Sequence, residues 1–213
     1  SLYQYTLKLY DSASGLLVDS VHVSMEADSL AWSPDGRLLA VGTSGGGILV
    51  FRRDGLGLVA NVSAHFSPVV FLSWTGRLLA STSGDQTVKL WEVDSGSGAM
   101  RLLRTFSGWG LAVTSVQWYP DGQHILAACG TEDPVKVFGV DGSEKLRIPA
   151  QGLGFESATV SMDGKMIATA AGREVSIWDA RFGTLAGRLE TAYEVEQISW
   201  SPARPGVLAV ARW

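Results

Sequence analysis

Cysteine is nearly absent. The 213 residues include one, Cys129, so no internal disulfide can form and a disulfide scaffold is excluded. Long apolar runs are also missing. Runs such as Ile48 to Phe51 and Val69 to Leu72 fall well short of the ~20 residues a membrane helix needs, and no membrane insertion is expected. Charge is scarce and nearly balanced: 17 Lys and Arg face 21 Asp and Glu, 18% of the chain, for a formal net charge of -4. Without an excess of positive charge the chain lacks the electrostatic footprint of a nucleic-acid binder, and no nucleic-acid partner is expected. No stretch combines helical periodicity with capping residues. The chain opens at Ser1 with no basic stretch leading into an apolar run, and it reads as either processed or cut from something longer. With 46% hydrophobic residues it has the composition of a folded chain, not a disordered one.

What is present is a repeat. Short β-forming patches end in an aromatic: Leu7 to Tyr10, Ile48 to Phe51, Val88 to Trp91, Val135 to Phe138 and Val175 to Trp178, with the aromatics 41, 40, 47 and 40 residues apart. A second series keeps step: Leu30-Ala31-Trp32-Ser33-Pro34-Asp35-Gly36, Leu72-Ser73-Trp74-Thr75-Gly76, Val116-Gln117-Trp118-Tyr119-Pro120-Asp121-Gly122, Thr159-Val160-Ser161-Met162-Asp163-Gly164 and Ile198-Ser199-Trp200-Ser201-Pro202. Each runs into a further apolar strand, as at Leu38 to Val41 and Ile125 to Ala128. In the Pro-Asp-Gly turns Pro fixes φ, Asp bonds its own backbone and Gly accepts positive φ. The pattern predicts a hairpin, then a second turn such as Ser83-Gly84-Asp85, a third strand, and a fourth reached through loops like Asp94 to Gly98. A lone four-stranded sheet buries too little to be stable; packed radially against its neighbours it buries both faces.

The spacing and residues resemble the WD-repeat family of β-propellers over essentially the whole chain. The resemblance implies an all-β fold, a β-propeller of four-stranded antiparallel blades with about five blade units, the first and last incomplete in sequence. The units run roughly over 15–52, 57–92, 100–139, 143–179 and 184–213, the last completed by 1–10. Tyr5 to Tyr10 is expected to act as an unattached fourth strand that closes the ring, or else the chain is a section of a larger propeller. The second unit matches best. There the resemblance implies a buried chain in which Asp85 accepts from His65, which bonds Ser81, which reaches the Trp91 indole. The other units depart from this. At the position of Asp85 they carry Gly45, Glu132 and Gly172, and at the position of His65 the first has Val23 and the third Trp109.

Several strings imitate catalytic motifs. Gly42-Thr43-Ser44-Gly45-Gly46 fits G-x-S-x-G, but it joins two strands of one hairpin and not a strand to a helix. Gly55-Leu56-Gly57-Leu58-Val59-Ala60 mimics a dinucleotide fingerprint, with no helix following it to aim amides at a phosphate. His22, His65 and His124 stand on different units, and none has metal-ligand spacing to another or to Cys129. No cofactor and no metal are expected. Trp32, Trp74, Trp91, Trp118, Trp178 and Trp200 occupy repeat positions explained by packing, whereas Trp109 sits off them in a loop between Gly108 and Gly110, as an aromatic offered to a partner.

The expected function is a non-catalytic protein–protein interaction scaffold or adaptor, cytoplasmic or nuclear, whose partner is another protein, a peptide segment or a multi-subunit complex. By resemblance, partners dock on a rim formed by the loops entering each first strand and by the turns between second and third strands. The candidate rim is Glu26, Asp28, Phe66, Trp109, Glu132, Asp133, Phe155, Glu156, Arg173, Tyr193 and Glu194. Acids with aromatic anchors suit a partner carrying Arg or Lys. Alternatives are a structural wall of a larger coat or scaffold, suggested by the Ser201 to Gly206 segment after Trp200, and a propeller-type hydrolase, for which no converging catalytic groups are visible.

Overall fold

Runs of β-branched and aromatic residues are stopped by Gly, Asp or Pro after strands 4–7 residues long. The computed structural model describes residues 5–129, 135–149, 157–204 and 206–212. Two strands, β1 (Tyr5–Tyr10) and β2 (Leu17–Val23), pair as a two-stranded sheet. Four four-stranded antiparallel sheets follow in strict chain order. Blade one is β3 (Ala27–Trp32), β4 (Leu38–Thr43), β5 (Gly47–Arg52) and β6 (Leu58–Ser63). Blade two is β7 (Val69–Thr75), β8 (Leu78–Ser83), β9 (Val88–Val93) and β10 (Met100–Phe106). Blade three is β11 (Val113–Trp118), β12 (His124–Cys129), β13 (Val135–Gly139) and β14 (Glu144–Ile148). Blade four is β15 (Ser157–Val160), β16 (Met166–Ala171), β17 (Glu174–Asp179) and β18 (Leu185–Glu190). A last pair, β19 (Gln197–Trp200) and β20 (Leu208–Ala211), forms a second two-stranded sheet. Among the described residues the only helical segment is one 3-10 turn, Asp54–Leu56.

The blades stand side by side, each first strand against the next: β3 on β7, β7 on β11, β11 on β15 and β15 on β19. The hydrophobic core is therefore divided among the gaps between blades. One cluster joins Leu38, Ile48 and Val50 of blade one to Leu72, Leu79 and Trp91 of blade two; the next joins Val88 and Leu90 to Val116, Ile125 and Phe138. This is the all-β propeller architecture expected from the repeat.

Indole groups stitch the inner strands together. Trp74 Nε1 donates to the Ala31 carbonyl (3.1 Å), Trp118 Nε1 to that of Ser73 (2.9 Å) and Trp200 Nε1 to that of Thr159 (3.4 Å). In each bond the tryptophan reaches the preceding first strand. Blade four has Val160 where an indole would stand, and Gln117 makes the link instead. Its Oε1 accepts from the Val160 amide (3.0 Å) and the Thr159 hydroxyl (2.9 Å).

The first strand needs a correction. Tyr5–Tyr10 stands as a third strand, with Leu17–Val23 outside it as the fourth. Its pairing shifts register between Leu9 and Tyr10, as the other third strands do at Val50/Phe51, Val137/Phe138 and Ile177/Trp178. The loop that follows is that of blade two. Asp11 Oδ1 accepts from the Ser14 amide and hydroxyl (2.7 Å each), as Asp94 does from Ser97 (2.7 Å each). Among the described residues β1 pairs with β2 alone, and β19 and β20 pair only with each other. Leu185–Glu190, read as opening the last unit, is the outer strand of blade four.

Candidate functional site

Antiparallel order puts two kinds of connection at opposite ends of each blade. Loops entering first strands and turns between second and third strands share one end, the rim; the other turns share the far end. Gly46, in the second turn of blade one, shows how tightly the rim is knitted. Its carbonyl accepts the Ala64 and His65 amides (3.1 and 2.8 Å), its φ is +81°, and a Cβ there would lie 2.3 Å from the His65 carbonyl oxygen. Only glycine fits.

His65, in the loop entering blade two, has its side chain fully buried. Its Nδ1 lies 2.9 Å from Asp85 Oδ2 and its Nε2 2.8 Å from Ser81 Oγ, and Trp91 Nε1 donates to Ser81 Oγ (2.9 Å). Because the Asp85 carboxylate can only accept, the imidazole proton sits on Nδ1, and Nε2 of the neutral ring accepts from the Ser81 hydroxyl, whose oxygen accepts in turn from the indole. Burial lowers the His65 pKa against the opposing pull of Asp85, so the ring is neutral. Burial pushes Asp85 upward, but the Thr87 hydroxyl, the Phe66 amide and His65 outweigh it and the carboxyl sits below its usual range. Asp85 Oδ1 takes the Thr87 hydroxyl (2.7 Å) and Oδ2 the Phe66 amide (3.1 Å). Blade four keeps a shorter version, Trp178 Nε1 donating to Thr169 Oγ1 (2.8 Å). Blades one and three place Val41 opposite Leu49 and Ala127 opposite Lys136, with phenylalanines 51 and 138 as the closing aromatics.

The same network that buries His65 presents its neighbour. Phe66 is 97% exposed while its amide is held by Asp85, and Lys89 Nζ stands 5.9 Å from its ring. Lys89 in turn donates to the Ala64 carbonyl (2.6 Å), bracing the loop from the third strand.

Trp109 is a correction. It is 4% exposed, within the core between blades two and three, and not a presented anchor. Its ring meets Phe138 edge-on at 5.6 Å and lies 4.4 Å from the Lys136 ammonium, which donates to the Gly108 carbonyl (2.5 Å). The physical reason is the position: Trp109 fills the site His65 occupies in blade two, and an apolar ring there packs inward.

The remaining rim residues divide. Glu26, Asp28, Arg173, Tyr193 and Glu194 are exposed. Arg173 Nε donates to the Thr191 carbonyl (3.1 Å), and the Arg212 guanidinium lies 3.6 Å over the Tyr193 ring. Glu132, Asp133, Phe155 and Glu156 lie outside the described residues. Two apolar rim residues escaped the sequence reading: Met25, 48% exposed, and Leu111, 52% exposed, each just before a first strand. For Met25 the signal was an apolar residue between Ser24 and Glu26; Leu111 follows Trp109 in a Gly-rich loop and carried no such signal. Among the described residues no group of His, Cys, Asp and Glu could hold a metal ion.

This sheet order and this buried chain define a WD-repeat β-propeller, and comparison with known proteins agrees. A model described as the anaphase-promoting complex subunit 4 WD40 domain matches residues 17–76, and one for the WD domain, G-beta repeat, matches 100–133. The chain is 26% identical over 208 residues to anaphase-promoting complex subunit cdc20 of Dictyostelium discoideum, covering 92% of this chain and 41% of that protein. It is 31% identical over 123 residues to a WD repeat-containing protein 26 homolog of Arabidopsis thaliana, covering 55% and 20%. It is 28% identical over 120 residues to COMPASS component SWD3 of Saccharomyces cerevisiae, covering 55% and 36%. A chain in a crystal structure of a mitotic checkpoint complex superposes with a TM-score of 0.82 at 19% identity, over 93% of this chain and 62% of that one. The family models, the relatives and the fold together support a WD-repeat β-propeller with no particular member indicated, and the chain spans about two fifths of the Dictyostelium relative's length.

Proposed function

We propose that the chain is a non-catalytic interaction module that holds a protein or peptide partner on the rim, with Phe66 as its apolar anchor. The observation that carries this is the pairing of a 97% exposed aromatic ring with an amide pinned by buried Asp85. An anchor fixed before binding loses little freedom on docking, so more of its burial appears as affinity. Met25 adds apolar surface, and Glu26, Asp28 and Glu194 supply acids for Arg or Lys on the partner. Two relatives named above are a complex subunit and a complex component by name, which supports a protein partner. Affinity purification followed by mass spectrometry tests the reading. Phe66→Ala should lose a defined set of co-purifying proteins that Leu58→Ala, at the far end of blade one, retains. An identical set from both variants would overturn it.

One observation favours a second reading, a wall within a larger assembly. Leu30 and Trp32 on β3 and Val210 on β20 are 56%, 43% and 42% exposed, on faces where the other blades bury their neighbours. Light scattering on the purified chain decides this: a concentration-dependent oligomer supports a wall, and a stable monomer supports the free-standing module.

A further inference from the structure

In every unit the residue before the closing aromatic pairs with one residue of the outer strand, and that partner varies. It is Ala60 against Val50, Arg104 against Leu90, Leu146 against Val137 and Gly187 against Ile177. In the two-stranded sheet before blade one it is Asp19, against Leu9. Directly paired residues share a face, and Leu9 packs on the cluster that holds Leu39 and Phe51 of blade one. Asp19 is therefore a half-buried carboxylate on the face turned toward blade one. Its Oδ1 accepts the Ser20 amide (2.7 Å), a bond that an asparagine would make equally well. Among the described residues it has no cationic partner. The fold does not call for a charge at this place.

Asp19 lines a groove of about 630 Å³ at the far end, between this sheet and blade one. Each side contributes an aromatic ring: Tyr10 from β1, 60% exposed, and Trp32 from β3, 43% exposed. Trp74, Trp118 and Trp200 each lie against a preceding first strand, to which the indole donates. Among the described residues no first strand precedes β3, so the Trp32 ring stands open. Two further carboxylates line the groove. Asp11 is engaged by Ser14, and exposed Asp54 has no partner among the described residues. Against these three acids stands one lining cation, Arg53. Gly36 and Gly55 also line the groove, and a Cβ on either would meet nothing within 4 Å, so the space beside the rings is open.

Two exposed rings beside a carboxylate that the fold leaves unpaired make a site for a cation. Of the protein cations the guanidinium suits it better. It stacks flat on an aromatic face while its fork meets a carboxylate, and it gives up less hydration than an ammonium. We propose that this groove binds an arginine side chain on an extended segment of a protein partner. The guanidinium stacks on Trp32 and Tyr10 and pairs with Asp19, and Asp54 adds charge complementarity. The site is at the opposite end from the rim and does not depend on the rim reading.

The test is a selection of random dodecapeptides displayed on phage against the immobilised full chain, with the enriched peptides measured by fluorescence anisotropy. Enriched sequences should share an arginine. They should bind Asp19→Asn at least about tenfold more weakly and Trp32→Ala about fivefold more weakly, and bind Phe66→Ala as they bind the parent. Citrulline in place of the arginine keeps the shape without the charge and should cost at least about tenfold. Enrichment without arginine, equal binding of the citrulline peptide, or indifference to Asp19→Asn would overturn the site. A lysine peptide that binds as tightly as the arginine one would overturn the guanidinium assignment. Peptides lost only with Phe66→Ala would overturn the site while supporting the rim. Asp19→Asn should melt at the parent temperature; a lower one would mean that the carboxylate serves the fold and would contradict the proposal.

Discussion

Blades two and three hold the same loop by opposite chemistry. In blade two a polar chain of His65, Asp85, Ser81 and Trp91 ties the loop entering the first strand to the second and third strands. In blade three Trp109 stands in the place of His65, packed on Phe138 and under Lys136, with Ala127 and Phe138 where blade two has Ser81 and Trp91. Replacing both members of a buried hydrogen bond by apolar groups of similar shape can be nearly neutral, whereas replacing one is costly. The two blades are therefore alternative solutions, the polar one with its hydrogen bonds matched and the aromatic one leaving the buried Trp109 indole nitrogen without a hydrogen-bond partner among the described residues. The functional consequence differs. The polar solution spends its histidine inside and leaves the next residue, Phe66, on the rim; the apolar solution draws its aromatic in.

Trp109→Ala should break this comparison most sharply. It opens a cavity in the core between two blades and should cost about 3–5 kcal/mol in urea unfolding, whereas Phe66→Ala should stay within ~0.5 kcal/mol. Equal costs would mean that the two aromatics are not on opposite sides of the surface. His65→Ala comes next, at about 3 kcal/mol, because it leaves Ser81 and Asp85 without their partner as well as a void. A loss below ~1 kcal/mol would show that water replaces the ring.

Proton linkage sharpens the contrast further. Burial holds His65 below the usual histidine pKa, so below about pH 6.5 the unfolded chain takes up a proton that the folded chain refuses. Its contribution is complete above that pH and falls as the pH drops, at no more than about 1.4 kcal/mol per unit for one proton. The lowered Asp85 adds its own loss only below about pH 4. Unfolding curves at pH 7 and pH 5.5 should converge for parent and His65→Ala as acid is added; parallel curves would place the titration elsewhere. Among the buried groups the smallest loss is expected in blade four. Thr169→Val keeps the shape but orphans the Trp178 indole nitrogen, for about 1 kcal/mol by urea unfolding; no change would mean that the bond is worth nothing there.

Most of the architecture was legible because it is local. Pro-Asp-Gly turns, closing aromatics and their spacing are short-range signals, and they located the strands of every blade. The role of β1 was harder. The aromatic series placed Tyr10 with Phe51 and Trp91, yet its place at the chain's start suggested an outer strand, and only the register shift at Tyr10 and the Asp11–Ser14 loop settle it as a third strand. Trp109 was misread because glycines flank it, which suggests an open loop. The residues that bury it, Lys136 and Phe138, lie a strand pair away, and that contact is not written in the neighbouring sequence.

The central claim is that the rim presents Phe66 to a partner and keeps Trp109 inside. Photo-cross-linking with benzoylphenylalanine at position 66 and, separately, at position 109 tests it most directly. An adduct with another protein is expected from position 66 and only internal cross-links from position 109. A partner adduct from position 109, or none from position 66, would contradict it.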